Sequence, residues 1–333
     1  MMQTDIIPVD SSNPDPSIIG SAVAVLRGGG LVAFPTETVY GLGADAFNVE
    51  AVKKVFLAKG RPADNPLIIH IALLEMLGSI TERVPPIASR LAEAFWPGPL
   101  TLVLYALPGV PGIVTANLQT AAVRFPNHPV ALAMIKEFGR GIVAPSANLS
   151  GRPSPTTAKH VKDDLNGKID MILDAGPSLI GVESTVLDIT VDPPVILREG
   201  GLVREQIEGV IGRVATTEEH EILRRSPGTR YRHYAPKARV ILIPSGNKEE
   251  FLDRIKKSET QGKIVGSIVH SVALQTKKRQ IRLSGDPTLY AKEFFSALRA
   301  MDEQGVEVLL VEGVAEEGIG AAVMERLRKA AGD

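Results

Sequence analysis

The chain has 333 residues, of which 44% are apolar and 23% charged, and its formal net charge at pH 7 is -1. This length predicts two domains, and the near-zero charge excludes a global attraction to nucleic acid or anionic membrane, so that any basic site must be local. The absence of cysteine excludes disulfides, thiolate metal sites and a cysteine nucleophile, and it fits a reducing cytoplasm.

The N-terminal part of the chain alternates helical patterns with short apolar segments. A helix from about Asp15 to Arg27 ends in three glycines, which also interrupt the most apolar stretch (18–35), so neither a membrane span nor a signal peptide is predicted. Asn48 can cap a helix that runs to Ala58. Further helices are predicted at 85–95 and 129–138, and strands at 31–35, 66–71, 100–106, 121–125, 141–145, 170–174, 184–189 and 194–199. Several of the connecting loops are too short for a crossover helix, so we expect a mixed sheet.

The pattern changes near residue 221, where EILRRSPGTRYRHYAPKAR combines six Lys or Arg with two prolines and no periodicity. This composition predicts an irregular basic linker, and we place the boundaries of the three parts at 1–215, 216–238 and 239–333. Beyond the linker, strands are predicted at 239–243, 263–269, near 280 and at 306–313, and helices at 247–257, 286–303 and up to about 331. Alternating strands and helices predict a small parallel α/β unit.

Several familiar site motifs are missing from the sequence. It has no GxxxxGK[ST], no HExxH and no GxSxG, and its six histidines show no metal-ligand spacing. GLGADA (41–46) matches GxGxxA, but PTETVY separates these glycines from the preceding strand, whereas the dinucleotide fingerprint needs them at the strand's end. A dinucleotide site of that type is therefore disfavoured.

Polar loops follow several predicted strands, and ligand sites of α/β sheets gather at such strand ends. The loops are PTETVYGLG (35–43), KGRPADNPL (59–67), PSANLSGRPSP (145–155) and GVESTV (181–186). The second loop carries two cations, Lys59 and Arg61, between residues that break regular structure. The third offers small hydrogen-bond donors that suit phosphate or ribose.

Each of these side chains also has a purely structural interpretation. Thr and Ser hydroxyls and Asn amides commonly satisfy turn backbone, and two loop cations are often simply solvated. His70, flanked by isoleucines, is equally compatible with a core imidazole. Arg124 lies in the short apolar strand AAVRF and needs an anionic partner or an exposed face. Arg198 is similar, with Glu199 or another internal acid as an alternative partner.

Taken together and in chain order, PTETVYGLG, KGRPADNPLIIH, WPGPLTLVL, TAAVRFP, PSANLSG and GVESTV resemble the YrdC-type threonylcarbamoyl-AMP synthases. The KxR and SxN signatures of that family stand at Lys59–Arg61 and Ser146–Asn148, and the match covers about residues 15–210. SPGTRYRHYAPKA followed by an α/β unit resembles the family's long form. The resemblance implies an N-terminal YrdC-like twisted mixed sheet with flanking helices, a linker that folds over the active site, and a smaller Rossmann-like C-terminal domain.

The resemblance also implies a reaction. A nucleotidyltransferase of this family converts L-threonine, bicarbonate or carbon dioxide, and ATP into threonylcarbamoyl-AMP and pyrophosphate, with Mg²⁺ accompanying ATP. The product would serve threonylcarbamoyladenosine modification of tRNA through a partner transferase complex. We expect a cytoplasmic enzyme without membrane association, and the oligomeric state stays open.

The resemblance assigns site residues to two groups, with Lys59 and Arg61 as the catalytic cations and no protein metal ligand. The residues implied for ATP are Lys59, Arg61, Asn65, Thr120, Ser146, Asn148, Ser154, Arg198 and Tyr234. The residues implied for L-threonine are Thr36, Thr38, His70, Arg124, the Ala144 backbone and Ser184.

Two other functions compete with this one. The basic linker would suit a regulatory module that binds double-stranded RNA or tRNA without catalysis, although the net charge gives this little support. A carbamoyltransferase that uses carbamoyl phosphate shares a related domain, but the chain shows neither the acylphosphatase-like nor the zinc-finger region of such proteins.

Overall fold

Two separate β-sheets organise the chain in a computed structural model that describes residues 3–216, 234–274 and 279–332. The chain forms two compact units. Within the described residues, the first unit contains 3–150, 155–179 and 183–216, and the second contains 151–154, 180–182 and the chain from residue 234 onward.

The first unit is built on an eleven-stranded mixed sheet. Its strands are β1 (Asp5–Pro8), β2 (Val32–Phe34), β3 (Gly41–Asp45), β4 (Ile68–His70), β5 (Leu100–Tyr105), β6 (Thr120–Arg124), β7 (Ile142–Val143), β8 (Met171–Asp174), β9 (Thr185–Asp188), β10 (Val195–Arg198) and β11 (Ala215–Thr216). They lie in the order β1-β8-β2-β3-β7-β4-β6-β5-β9-β10-β11. Strand β4 is parallel to β6 but antiparallel to β7, which confirms the predicted mixed sheet.

Seven α-helices flank this sheet among the described residues of the first unit: α1 (Pro16–Arg27), α2 (Val49–Lys59), α3 (Pro86–Phe95), α4 (Gly112–Thr115), α5 (Pro129–Phe138), α6 (Ala158–Leu165) and α7 (Arg204–Ile211). Helix α1 begins where the Asp15 side chain accepts the Ser17 N–H, and it buries Ile19, Ala22, Val23 and Leu26 at helical spacing. Asn48 caps helix α2, as predicted. The Asn48 side chain accepts hydrogen bonds from the backbone N–H groups of Glu50 and Ala51.

The second unit is a four-stranded parallel sheet, as the alternating pattern predicted. Its strands are β12 (Arg239–Ile243), β13 (Val265–Val269), β14 (Gln280–Arg282) and β15 (Val308–Glu312), in the order β12-β15-β13-β14. Its helices are α8 (Lys248–Thr260), α9 (Pro287–Glu303) and α10 (Ile319–Ala331). Most of the predicted linker, residues 217–233, lies outside the described residues.

Six of the named elements were not predicted: β1, β3, α4, α6, α7 and β11. The most informative is β3, because it contains the glycines of GLGADA. These glycines form a strand antiparallel to β2, and not the turn into a helix that a dinucleotide fingerprint requires. The Cβ of an alanine at Gly43 would lie 3.0 Å from Val32 O, so the glycine allows close packing within the sheet. In the part of the chain that the structure describes, no helix is long and apolar enough to cross a membrane.

Candidate active site

The pairing of three neighbouring strands brings together the polar residues that end or begin them. His70 lies beside Arg124 in the parallel pair β4–β6, and Thr101 lies opposite Arg124 in the antiparallel pair β5–β6. All three residues are buried. The register of the sheet therefore places one cation between an imidazole and a hydroxyl.

Arg124 makes contacts to the loop that follows β2. Its Nη1 donates to Thr38 Oγ1 at 2.8 Å, and Thr38 and Thr36 hydroxyls lie 2.9 Å apart. Because the Thr36 hydroxyl donates to Val39 O at 2.6 Å, the Thr38 hydroxyl must donate to Thr36 and accept from Arg124. Thr36 thus satisfies loop backbone, as its structural interpretation predicted, and it also orients Thr38.

The anionic partner that the Arg124 sequence context requires lies in the same loop. Glu37 Oε1 is 2.7 Å from Arg124 Nη2, with side chains 6% and 5% exposed. The third guanidinium nitrogen, Nε, donates to Gly98 O at 3.4 Å. Arg124 is therefore held from three sides.

Ser184 and Arg198 extend this cluster across β5 and β9. Ser184 Oγ lies 2.8 Å from Thr101 Oγ1, and Arg198 donates from Nη2 to Ser184 O at 2.8 Å and to its hydroxyl at 3.2 Å. Glu199, one of the alternative partners considered for Arg198, is not its partner here, because the Arg198 hydrogen bonds go to Ser184 and Glu199 accepts from Arg204 at 3.0 Å. In this structure Arg198 fixes the backbone and side chain of Ser184.

Gly200 permits this arrangement. A Cβ at this position would lie 2.3 Å from Ser184 C and Thr185 N, closer than any real side chain comes. The chain after β10 therefore passes directly against the start of β9, and only glycine allows it.

The second cluster joins the KxR and SxN signatures. Lys59 is the last residue of α2, and Gly60 ends that helix with φ of 60°. The Lys59 ammonium donates to Ser146 O and to Asn148 O, the latter at 2.7 Å, and the Ser150 N–H donates to Lys59 O at 2.8 Å. One of the three ammonium N–H donors stays available beyond these two bonds.

Burial lowers the pKa of Lys59 well below its ordinary value, and the neighbouring charge of Arg61 lowers it further. The charges of Asp164 and Glu183 oppose this shift. Lys59 is only 3% exposed, so burial disfavours its charged form. An anionic ligand next to the ammonium group would stabilise that form, and this makes Lys59 suited to bind an anion.

The loop after Gly60 contains Arg61, whose Nη2 has hydrogen-bond partners, and Asn65, whose side chain has none. Arg61 Nη2 donates to Asn65 O at 3.2 Å and to Pro66 O at 3.1 Å. Asn65 is 1% exposed, yet neither its side-chain Nδ2 nor its Oδ1 has a hydrogen-bond partner. Buried amides are normally satisfied, so this one is a strong sign of a ligand contact.

His70 is a neutral imidazole. Burial, with a contribution from the charge of Arg124, lowers the pKa of His70 to about 3. Its Nδ1 lies 3.3 Å from Ile68 O, and since a carbonyl only accepts, the proton is assigned to Nδ1 and Nε2 is left as an acceptor. Its edge-on contact with Phe34, with ring centroids 6.5 Å apart, agrees with the core interpretation as well.

The remaining predicted residues are Thr120, Ala144, Ser154 and Tyr234. Thr120 begins β6 and so lies about 13 Å along the strand from Arg124. Ala144 follows β7, and its N–H donates to Ile68 O at 3.0 Å. Ser154 and Tyr234 belong to the second unit. There Tyr234 is 6% exposed, stacks on Phe295 with centroids 5.6 Å apart, and lies under the Arg326 guanidinium.

Glu37, Thr101 and Gly200 were not predicted as site residues from the sequence. Glu37 had a visible signal, since a carboxylate stands between two threonines in a loop that already looked functional. Thr101 gave none, because its importance depends on the register that places it opposite Arg124.

Known proteins resemble the chain over both units. The family described as telomere recombination, which groups Sua5, YciO and YrdC sequences, matches residues 24–200, and the threonylcarbamoyl-AMP synthase C-terminal domain matches residues 202–332. Threonylcarbamoyl-AMP synthases of Pyrococcus abyssi and Bacillus subtilis are 50% and 46% identical, covering 93% and 96% of this chain and 93% and 94% of theirs. A crystal structure of P. abyssi Sua5 complexed with L-threonine has a TM-score of 0.94 and 48% identity, over 99% of this chain and 98% of that one.

Proposed function

The chain belongs to the threonylcarbamoyl-AMP synthase family, and we propose that it joins L-threonine, carbon dioxide from bicarbonate, and ATP into threonylcarbamoyl-AMP with release of pyrophosphate. In this reaction the uncharged threonine amine captures carbon dioxide and loses a proton, which gives a carbamate. A carbamate oxygen then attacks the α-phosphorus of ATP, and the bond to pyrophosphate breaks. The enzyme is thus proposed to be a nucleotidyltransferase.

The observation that carries this proposal is the buried cation at the end of β6. Arg124 is aligned by Thr38 and Gly98 O, and a planar guanidinium fits a carboxylate with two parallel hydrogen bonds. Thr36, His70 and Ser184 surround it through the strand register and the hydroxyl chain. We infer that this cluster binds the amino acid.

The cluster around Lys59 is proposed to bind ATP. Phosphoryl transfer depends mainly on positioning and on neutralising charge, so cations matter more than acid–base groups. Lys59 ties the two signature loops together through Ser146 and Asn148. Arg61 and the unsatisfied Asn65 amide lie in the adjoining loop and would supply further phosphate or nucleotide contacts.

Mg²⁺ is proposed to enter with the triphosphate. Mg²⁺ in nucleotide sites keeps several waters and is bound in large part by the substrate phosphates. Among the described residues no group of three or more His, Cys, Asp or Glu side chains could hold a metal ion by itself, so the ion would arrive as the ATP complex. When bound, it would neutralise phosphate charge, while Lys59 and Arg61 hold the phosphates in place.

The roles of Thr120, Ser154, Arg198 and Tyr234 in ATP binding, and of Thr38 and the Ala144 backbone in threonine binding, are proposed on the family resemblance. A downstream transferase that modifies tRNA and a cytoplasmic location are proposed on the same ground. The names of the curated relatives favour catalysis over the alternative of a non-catalytic RNA-binding module.

The test is pyrophosphate release from ATP and bicarbonate, measured with and without L-threonine, together with mass-spectrometric detection of threonylcarbamoyl-AMP. Release that requires threonine and is accompanied by the adenylate supports the proposal. Release that is indifferent to threonine, or none in any condition, would overturn it, and salt-dependent RNA binding without turnover would then favour the regulatory module.

A further inference from the structure

Glu37 and Arg124 form a buried pair whose hydrogen bonding is incomplete. The two side chains are 6% and 5% exposed, and Oε1 lies 2.7 Å from Nη2. Nevertheless, both Glu37 oxygens and Arg124 Nη2 lack a hydrogen bond of acceptable geometry. The contact is therefore an ion pair that is close in distance but poorly aligned.

The guanidinium of Arg124 keeps donors for a ligand. Nη1 donates one N–H to Thr38 and Nε donates its N–H to Gly98 O, so the second Nη1 N–H and both Nη2 N–H groups remain. A ligand carboxylate that binds Nη1 and Nη2 together competes with Glu37 for Nη2. Weakening of the internal pair would leave the buried Glu37 carboxylate without a full counterion, which is strongly unfavourable unless another cation meets it.

The proposed substrate carries that cation on the carbon next to its carboxylate. An amino acid arrives as a zwitterion, with a carboxylate and an ammonium group, and the Glu37–Arg124 pair presents the complementary two charges. One internal ion pair would be exchanged for two intermolecular pairs, so that no buried charge is left alone.

We propose that Glu37 binds the α-ammonium group of L-threonine while Arg124 binds its carboxylate; this rests on the proposed function. The contact holds the zwitterion as it enters, and the ammonium then gives up one proton to solvent before the uncharged amine captures carbon dioxide. Glu37 is then a specificity residue for an α-amino acid, and the loop 35–40 is the element that recognises both charged groups of the substrate through Glu37 and Thr38.

Glu37 is the carboxylate that contacts Arg124 among the described residues. Thr36 and Thr38 are uncharged hydroxyls. Burial lowers the pKa of His128, on which the charge of Glu37 acts in the opposite direction, and burial likewise lowers the pKa of His70. Neither imidazole therefore supplies a cation near pH 7 that could replace Arg124 as the counterion of Glu37.

The test compares two ligands by calorimetric titration. One is L-threonine, and the other is its analogue of the same configuration in which a hydroxyl replaces the α-amino group. For the native protein, L-threonine should bind on the order of 10- to 100-fold more tightly, because only the amino acid makes the charge-assisted contact to Glu37. Glu37→Gln should abolish most of this preference by weakening L-threonine alone, and it should leave the analogue's affinity unchanged or improved.

Thr38→Val is the matched control. It removes the other side-chain partner of Arg124 but keeps Glu37, so a loss of guanidinium alignment should weaken both ligands by a similar factor. If Glu37→Gln also weakens both ligands by the same factor, Glu37 only positions Arg124 and the proposal is wrong. Glu37→Asp, checked for folding by circular dichroism, provides a second variant, which should retain part of the preference.

This failure can be distinguished from failure of the proposed function. If the native protein shows threonine-dependent pyrophosphate release and yet Glu37→Gln keeps the full preference for the amino acid, only the role of Glu37 is refuted. If the native protein neither binds L-threonine nor turns over, the proposed function itself fails and the ammonium site fails with it.

Discussion

At the strand ends of the first sheet, buried polar side chains keep hydrogen-bonding capacity that the protein itself does not use. The Asn65 amide has no partner, and the Glu37–Arg124 pair is poorly aligned. At the carboxyl ends of the second sheet the opposite holds. There the Glu312 carboxylate, fully buried, accepts the backbone N–H groups of Gly246, His270, Ser271 and Val272 as well as the Ser271 hydroxyl.

The contrast between the two sheets shows which strand ends of an α/β protein are suited to bind a ligand. Topology alone favours the carboxyl ends of the parallel second sheet. However, an internal carboxylate satisfies the backbone donors that would otherwise receive a bound anion there. A strand end that can bind a ligand is therefore recognised by buried polar groups without hydrogen-bond partners, and not by strand order. Where a side chain such as that of Glu312 already satisfies the backbone donors, no ligand is needed.

The largest expected effect concerns the cation that joins the two signature loops. Lys59→Ala should lower kcat/KM for ATP by at least about 100-fold, because it removes a buried charge directed at developing negative charge. Lys54→Ala is the matched control, since Lys54 lies in the same helix and also donates to a carbonyl, Gly29 O, at 2.7 Å. Steady-state pyrophosphate assays on both variants measure this, and equal effects would refute the special role of Lys59.

The next prediction concerns the Glu312 carboxylate, which satisfies backbone N–H groups at the carboxyl ends of the second sheet. Glu312→Gln places an amide N–H₂ among backbone donors and should lower the free energy of unfolding by about 2–4 kcal/mol. The affinity for L-threonine should stay unchanged. Chemical denaturation and calorimetry measure the two quantities, and a variant that is fully stable would show that the Glu312 contacts contribute little.

The same residue predicts an acid-dependent loss of stability. Burial alone would raise the pKa of Glu312, but its hydrogen bonds from Ser271, His270, Gly246 and Val272 outweigh this and lower it to about 2. The pKa is thus lower in the folded than in the unfolded state. The stabilisation is present above about pH 4.5 and declines between that value and about pH 2, and Glu312→Gln should lose this component.

A smaller effect is expected from the backbone contact behind Ser184. Gly200→Ala forces a methyl group against the start of β9 and should destabilise the protein by about 1–3 kcal/mol while also weakening L-threonine binding. Gly209→Ala is the control, because its added Cβ would have no neighbour within 4 Å apart from the adjoining residues and the backbone of its own helix, and helix α7 should gain about 0.5–1 kcal/mol. Thermal denaturation measures the stability of both variants. If Gly200→Ala were as stable as the native protein, the close contact between Gly200 and the start of β9 would not require glycine.

The smallest expected effect is the contribution of His70 to acid sensitivity. Its pKa of about 3 lies below that of an unfolded histidine, so its effect on stability is fully favourable above about pH 6.5 and declines as the pH falls towards 3. At pH 5 the loss is at most about 2 kcal/mol. Chemical denaturation at pH 7.5 and pH 5 measures this effect. The free energy of unfolding should differ less between the two pH values for His70→Gln than for the native protein.

Much of the fold could be predicted from local signals. Asn48 and the glycines at 28–30 set helix boundaries because caps and stops are local. Strand β3 was missed because a glycine-rich segment resembles a loop until its pairing with β2 is known. The short helix α7 carries a glycine, Gly209, and gave a weak helical pattern for the same reason.

The site shows the same limit. Arg124 was predicted to need an anion, and the sequence could not identify Glu37 because the two residues are separated by 87 positions and meet only through folding. Lys59 was predicted to bind phosphate, whereas its bonds to Ser146 O and Asn148 O, which also give it a structural role, depend on the approach of two distant loops.

The proposed function depends above all on the buried guanidinium at the end of β6 and its binding of the L-threonine carboxylate. Titration of L-threonine and, separately, of ATP into the native protein and Arg124→Lys tests this directly. We predict that the variant binds L-threonine about 10- to 100-fold more weakly, since lysine cannot make the bidentate contact, and binds ATP as before. Unchanged threonine affinity in a folded Arg124→Lys variant would contradict the account.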